Sequence, residues 1–211
     1  DIALKASVTY RSEIEHSVNV KESFNSAGLF AALNAAPSLN TDITTPQSVN
    51  LDFQTGIMAN TVAFANVRWV DWSSFSIQPY KFGLASKSAA IQAQTGKSEF
   101  DLVAYTDDQI SATVGVGRKL NDQWAGNVSV GWDSGAGNPV TTLGPTEGYW
   151  NVGLGAQFSP TPQTFIAGGV KYFWLGDAKA QSAAQFDTAN YVADFESNYA
   201  IAYGLKMGYK F

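Results

Sequence analysis

Residues 197–211 read SNYAIAYGLKMGYKF, in which large apolar or aromatic residues occupy every second position from Tyr199 to Phe211. The intervening positions, from Asn198 to Lys210, hold only polar or small residues. Side chains alternate between the two faces of a strand, so this pattern predicts a strand with one apolar face and one polar or small face. The sequence ends on Phe211 with no polar tail. We interpret the stretch as the closing strand of an outer-membrane β-barrel.

The composition fits such a barrel. Charged residues make up 15% of the 211 residues, below the roughly 25% of a soluble domain, and aromatic residues make up 13%. The 19 glycines suit a lumen lined by small side chains. A net charge of -5 argues against nucleic acid as a partner, and the absence of cysteine excludes disulfides and thiolate metal sites.

The sequence contains no candidate transmembrane helix. No run approaches the roughly 18 consecutive apolar residues that a transmembrane helix needs. The alternating pattern begins at once with Asp1-Ile2-Ala3-Leu4, without a signal peptide. We therefore expect an internal start and a longer parent protein.

The alternation seen at 197–211 recurs in seven further segments, which predicts about eight antiparallel strands. These segments are 2–21, 48–58, 61–77, 109–119, 123–132, 149–158 and 164–174. Segment 61–77 mixes the two parities, which predicts a β-bulge.

The connections between these segments alternate in length. The short ones lie around 59–60, 120–122 and 159–162, and the long ones span 22–47, 78–108, 133–148 and 175–196. Short periplasmic turns and long extracellular loops produce this alternation in outer-membrane barrels, whereas a soluble β-sandwich does not require it. Aromatic residues also gather near both strand ends, as in two interfacial girdles. They are Trp132, Trp150, Tyr172 and Trp174 at one end and Trp124, Phe158, Tyr209 and Phe211 at the other.

Several stretches, taken in order along nearly the whole chain, resemble the FadL family of outer-membrane long-chain fatty acid transporters. They are Thr9-Tyr10-Arg11-Ser12-Glu13, Arg68-Trp69-Val70-Asp71-Trp72-Ser73-Ser74-Phe75, Asn121-Asp122-Gln123-Trp124 and Phe195-Glu196-Ser197. The resemblance implies a monomeric 14-stranded barrel plugged by an N-terminal hatch. Residues 1–211 would then be a single barrel domain holding the last eight strands, with the hatch and early strands outside this sequence.

The first candidate site lies in the 22–47 connection. Phe24, Leu29, Phe30 and Leu33 recur at roughly helical spacing among alanines that include Ala27. In the family a loop of this kind contributes to an outward-facing groove for hydrophobic compounds. The alternative is that these residues only pack the loop onto the barrel rim.

The second candidate site lies in the lumen, where a fatty acid carboxylate needs a cation when it leaves water. The basic candidates on the polar parity are Arg11, Arg68, Lys171 and Lys206. Phe165 and Phe173 share the parity of Lys171 and offer an apolar path. The alternative is that these cations form ion pairs with Glu13, Asp52 or Asp71 in the barrel wall.

Enzymatic activity is not expected. His16 is the only histidine and lacks a recognisable nucleophile motif, and no cofactor or metal is implied. The resemblance implies passive uptake of a hydrophobic small molecule, a fatty acid or a hydrocarbon, by a protein surrounded by outer-membrane lipid. The alternative is a stand-alone eight-stranded structural or adhesion barrel that does not transport.

Overall fold

The computed structural model describes residues 3–25, 28–144 and 146–209. Predictions that concern Ile2, Ala27, Lys210 and Phe211 lie outside the described residues. The strands are β1 (Leu4–Arg11), β2 (Ile14–Asn19), β3 (Asn40–Thr45), β4 (Ser48–Met58), β5 (Thr61–Val70), β6 (Ser76–Ile77), β7 (Val103–Ala104), β8 (Gln109–Lys119), β9 (Trp124–Asp133), β10 (Val140–Thr141), β11 (Tyr149–Phe158), β12 (Thr164–Leu175), β13 (Ala178–Gln181), β14 (Ala193–Phe195) and β15 (Tyr199–Tyr209). The α-helices are α1 (Ala31–Ala35), α2 (Tyr80–Ser86) and α3 (Ala89–Thr95).

Eight long strands form one antiparallel sheet in the order β1-β4-β5-β8-β9-β11-β12-β15. The prediction of an all-β fold with about eight antiparallel strands is therefore confirmed. The bounds 48–58, 109–119 and 149–158 agree with β4, β8 and β11. Over the described residues β1 and β15 do not pair with each other, so the sheet stays open.

The burial of this sheet is the reverse of that in a soluble protein. Apolar side chains of one face point into open surroundings, with Val8 72% and Tyr203 89% exposed. Several polar side chains of the other face are covered, with Ser48 2% and Asn151 3% exposed. An apolar exterior around a polar interior is the arrangement of a transmembrane β-barrel. We call the polar face the lumen face.

The aromatic residues lie in bands across the sheet, as the sequence predicted. Strand register aligns Trp132 with Trp150, Trp150 with Trp174 and Trp174 with Tyr199. At the opposite strand ends the rings of Trp124 and Phe158 lie 4.8 Å apart. Bands at these two levels correspond to the interfacial girdles of an outer-membrane barrel.

The predicted strand 2–21 is interrupted after Arg11, which corrects the sequence interpretation. β1 pairs with β4, whereas β2 pairs with β3 in a separate two-stranded ribbon. The ribbon continues the ladder of β1 and β4 beyond a break that contains Pro46, a residue without a backbone N–H for the ladder.

The predicted strand 61–77 is also wrong beyond Val70. A 3₁₀ turn at Trp72–Ser74 follows, and β6 then pairs with β7 outside the main sheet. Asp108 fixes this departure, because its carboxylate accepts hydrogen bonds from Trp69 Nε1 at 2.9 Å and Ser73 Oγ at 2.6 Å. The predicted bulge is absent from β5, whose pairing with β8 is regular. The register shift lies in β4, between Gly56 and Met58.

The long connections contain structure that the sequence patterns did not indicate. β10, β13 and β14 form a three-stranded sheet around a small apolar core of Val140, Ala178 and Ala180, against which Phe195 packs. Helices α2 and α3 belong to the 71–108 connection. None of the helices in the described ranges has the length and apolar character needed to cross a membrane.

Candidate functional site

The lumen face is organised into rows of side chains that strand register places side by side. One row joins Asp52, Asn66, Thr113, Gly131, Asn151, Phe173 and Ala200. The next row toward the short turns joins Lys5, Gln54, Phe64, Gly115, Ser129, Gly153, Lys171 and Ala202. Arg68 lies one row above the first and Lys206 two rows below the second. All the predicted lumen residues therefore share this face.

Glycines on the lumen face accommodate side chains of neighbouring strands. A Cβ at Gly155 would lie 2.6 Å from the amide nitrogen of Asn127, and one at Gly153 would lie 2.7 Å from Ser129 Oγ. The same Gly153 Cβ would approach Lys171 Cγ to 3.1 Å. A larger residue would therefore displace these polar side chains from the barrel wall.

Between β9 and β15 these small residues form a continuous depression. Its upper part, of about 380 Å³, is bordered by Ser129 and Lys171 and has a floor of Gly153, Gly155, Gly169 and Gly204. Its lower part, of about 400 Å³, is bordered by Gln157, Ala167 and Lys206. Both parts share Asn127 and Gly204, and we call the whole depression the lumen trough.

Lys171 lies at the upper end of the lumen trough, and Phe173 lies one register row above it. The Lys171 stem lies against Gly153, and no ion pair or hydrogen bond to another described residue engages its ammonium group. Phe173 contacts the ring of Tyr149 edge-to-face, with centroids 5.2 Å apart. An exposed cation beside an aromatic ring offers a carboxylate anchor next to an apolar contact.

Lys206 lies in the lower part of the lumen trough. Its Nζ is 5.8 Å from the centroid of the Phe165 ring, within the range of a cation–π contact. Register places Lys206 opposite Ala167, four residues along β12 from Lys171. The two lysines therefore lie at separate levels, about 13 Å apart along the strands.

Arg11 and Arg68 belong to the other half of the sheet. Arg11 donates a hydrogen bond from NH1 to Asn50 Oδ1 at 3.3 Å, and Asn50 is also opposite Arg68 in the ladder. Three strands separate Arg68 on β5 from Lys171 on β12. The structure thus divides the predicted cations between the two halves of the sheet and does not gather them into one cluster.

Among the described residues, the predicted lumen cations do not form ion pairs with carboxylates of the barrel wall. Asp52 accepts a hydrogen bond from Asn66 Nδ2 at 2.7 Å, and Asp71 accepts one from Gln47 Nε2 at 3.0 Å. The salt bridges found among the described residues involve Lys87, Lys97 and Lys119, which lie outside the lumen trough.

The predicted loop groove is assembled only in part. The rings of Phe24 and Phe30 lie 4.8 Å apart, and the side-chain amide of Asn34 bonds both the N–H and the C=O of Phe24 at 2.9 Å. Leu33 lies half-buried on α1, whereas Leu29 is 52% exposed. The phenylalanine pair forms the ordered part of this surface, with Leu29 at its exposed side.

A smaller cavity at the extracellular mouth of the lumen was missed by the sequence interpretation. It measures about 220 Å³ and is lined in part by Trp72, Tyr105, Asp133 and Tyr149. Trp72 Nε1 donates to Gln109 Oε1 at 2.8 Å, and Gln109 Nε2 donates to Asp133 Oδ1 at 2.8 Å. These bonds tie the 71–75 segment to the ends of β8 and β9 at the wall of this cavity. The sequence signal was Asp133, which continues the polar parity of β9.

Glu147 lies beside this mouth in an enclosed position. Burial raises the pKa of its carboxyl group, and the nearby charges of Asp107 and Asp133 raise it further. The backbone N–H of Gly137 bonds the carboxylate and opposes this effect. Its Oε2 is buried without a hydrogen-bond partner among the described residues.

Comparison with known proteins connects this architecture to a family. A family profile described as outer membrane protein transport protein (OMPP1/FadL/TodX) matches residues 3–211. The fold is similar to that in a crystal structure of a Pseudomonas aeruginosa FadL homologue, with a TM-score of 0.59 and 15% sequence identity. The similarity covers 97% of this chain and 46% of that chain, so this chain spans about half the length of the homologue. No curated protein matches the chain.

Proposed function

We propose that this chain serves the passive transport of hydrophobic molecules across the outer membrane of a Gram-negative bacterium. The chain belongs to the outer membrane protein transport family (OMPP1/FadL/TodX), and this membership supports the proposal. Long-chain fatty acids are the substrate class we expect first. The observation that carries the proposal is the lumen trough, in which a glycine floor lies beside the unpaired cation of Lys171.

The lumen trough suits an amphipathic chain for physical reasons. The glycines of the trough carry no side chains and so leave space along the wall. The ring of Phe173 lies one register row above Lys171. A carboxylate bound to Lys171 keeps a charged partner after it leaves water. Transfer of the alkyl chain out of water supplies the driving force, at about 25 cal/mol per Å² of apolar area.

Entry is proposed at the loop that carries Phe24, Leu29, Phe30 and Leu33. The Phe24–Phe30 pair is held in place by Asn34, and Leu29 remains exposed beside it. An ordered apolar surface on an extracellular loop can collect a hydrophobic ligand before it enters the lumen. The path then descends from Phe173, one register row above the lumen trough, to Lys171 and Lys206 within it.

The first test measures oleate binding to the purified protein in lipid nanodiscs. Lys171→Met removes the charge and retains an apolar stem, so we expect oleate affinity to fall about tenfold, the effect of losing one charge-assisted contact. Binding of an alkane without a head group should not change.

Lys5→Met is the matched control for this test. Lys5 lies in the same register row of the lumen face as Lys171, but on β1 and outside the lumen trough. Equal oleate affinity in the wild type and in Lys171→Met would reject Lys171 as the carboxylate anchor. Equal losses of affinity in Lys171→Met and Lys5→Met would show that only the total charge of the lumen matters.

The second test measures uptake of a hydrophobic compound by cells. Phe30→Asp places a charge in the Phe24–Phe30 contact, and we expect the uptake rate to fall several-fold because the apolar surface is lost. Leu143→Asp is the control, since Leu143 is 73% exposed on a different connection. An unchanged rate in Phe30→Asp would reject a role for this loop.

A self-contained eight-stranded adhesion barrel finds less support. Such a barrel requires its first and last strands to pair, and β1 does not pair with β15 over the described residues. Saturable oleate binding by the wild-type protein would argue against this alternative directly.

A further inference from the structure

A large cavity lies among the extracellular connections, away from both the lumen trough and the Phe24–Phe30 surface. It measures about 520 Å³, within the range of small-molecule sites. It lies between the 71–108 and 176–198 connections, and its lining includes Phe100, Asp101, Tyr105, Gln181 and Phe186. We call it the outer cavity. Nothing in the proposed transport route uses it.

The charges around the outer cavity leave one carboxylate without a cation. Glu99 forms an ion pair with Lys87 at 2.7 Å, and Asp187 forms one with Lys97 at 3.5 Å. Among the described residues no salt bridge involves Asp101, whose partner is the side chain of Ser76. Burial, and secondarily the charge of Glu99, raises the pKa of Asp101, as expected for a carboxylate short of a cationic partner.

The aromatic part of the lining is held in place by contacts outside the cavity. The Phe100 ring packs edge-to-face on Phe82 with centroids 5.7 Å apart. Tyr105 packs against Trp72 at 5.1 Å and Phe75 at 5.9 Å. Rings fixed in this way need little reordering when a ligand arrives.

The buried amide of Gln181 closes another side of the outer cavity. Gln181 is 3% exposed, and its Nε2 donates to the carbonyl oxygens of Thr188 at 2.8 Å and Asn190 at 2.6 Å. These bonds fix the turn that carries Phe186 and Asp187 at the cavity wall. The two connections therefore meet as ordered surfaces.

We propose that the outer cavity binds an organic monocation, an ammonium group carried on an aromatic or short apolar body. Asp101 supplies the single uncompensated negative charge for the ammonium group, and Phe100, Tyr105 and Phe186 supply faces for the apolar body and for cation–π contact. An anion of the same shape is disfavoured by the uncompensated negative charge of Asp101. The site is independent of the transport proposal.

The test uses three probes of similar shape and different charge on the intact protein in lipid nanodiscs. Isothermal titration calorimetry compares 2-phenylethylammonium, uncharged 2-phenylethanol and the phenylacetate anion. We expect the ammonium ion to bind at least about tenfold more tightly than the alcohol, and the anion not to bind measurably.

Variants separate the charge from the rings. Asp101→Asn keeps the shape and should lower ammonium affinity about tenfold while alcohol affinity is unchanged. Phe186→Ala should weaken both of these ligands, and Asp194→Asn, an exposed carboxylate on β14 outside the lining, should affect neither. Equal binding of the three probes, no binding of any, or unchanged ammonium affinity in Asp101→Asn would each overturn the proposal. Oleate binding in the same preparation stays a separate readout.

Discussion

Glu147 is a described side chain at the extracellular rim whose ionisation opposes folding. Its carboxyl pKa is raised by burial and by Asp107 and Asp133. The folded protein therefore binds this proton more tightly than the unfolded chain does, and stability falls as pH rises from the ordinary carboxyl range through the raised pKa. Glu147→Gln, neutral at every pH, should raise the thermal midpoint at neutral pH and flatten this part of the profile.

Heat-modifiability on gels across mildly acidic to neutral pH measures this effect. Asp194→Asn is a suitable comparison, because Asp194 is exposed on β14 and should leave the profile unchanged. A lower midpoint for Glu147→Gln at neutral pH would mean that the ionised carboxylate stabilises the rim through its bond from the Gly137 N–H.

Single residues of the lumen were predictable in part. Side-chain alternation placed Lys171, Phe173 and Lys206 on the polar face, as the register confirms. Alternation gave no information on which cations lie close together, because their distances depend on the order of the strands in the sheet. Asn127 and Ser129 lie on the same polar face but were not among the predicted site residues, although each lies opposite a lumen glycine in the ladder.

Helix α2 depends on a side chain from a distant connection. It begins after Pro79 without a cap of its own, and the Glu22 carboxylate accepts the backbone N–H groups of Lys81 at 2.9 Å and Phe82 at 2.8 Å. Glu22→Ala removes both acceptors at a cost of roughly 1.5–3 kcal/mol. Hydrogen exchange at those two amides should accelerate about tenfold or more.

Glu15→Ala is the control for this element, since Glu15 is exposed on β2. Unchanged exchange at Lys81 and Phe82 in Glu22→Ala would show that Thr41, whose Oγ1 accepts the Tyr80 N–H at 3.2 Å, holds the helix start by itself.

Strands inside the membrane were more predictable than elements outside it. β4, β8 and β11 alternate strictly because one face meets lipid and the other the lumen, and their predicted ends were correct. β10 and β14, of 2 and 3 residues, are too short for an alternating pattern. The departures after Arg11 and Val70 depend on Pro46 and Asp108, which are distant in sequence.

The reversed burial of the whole sheet predicts opposite outcomes for one substitution at adjacent positions. Val114 is the middle residue of β8 and is 56% exposed on the apolar face, whereas Thr113 faces the lumen opposite Asn66. Val114→Arg should destabilise the protein by about 2–4 kcal/mol, because a charge is placed in lipid. Thr113→Arg should lower the free energy of unfolding much less, because its side chain faces the lumen.

Denaturant unfolding in lipid vesicles compares these two variants. Equal losses, or a larger loss for Thr113→Arg, would contradict the assignment of the apolar face to lipid. The test uses neighbours on one strand, so differences in strand position or depth do not affect it.

The ribbon of β2 and β3 has a consequence for what reaches this protein from outside the cell. It continues the ladder of β1 and β4, and six residues at about 3.3 Å each carry its tip roughly 20 Å beyond the barrel rim. Its side chains are largely exposed. The described parts of the tip connection, residues 20–25 and 28–39, therefore lie where antibodies and phage tail fibres make first contact, and an epitope tag inserted after Asn19 would be displayed on intact cells.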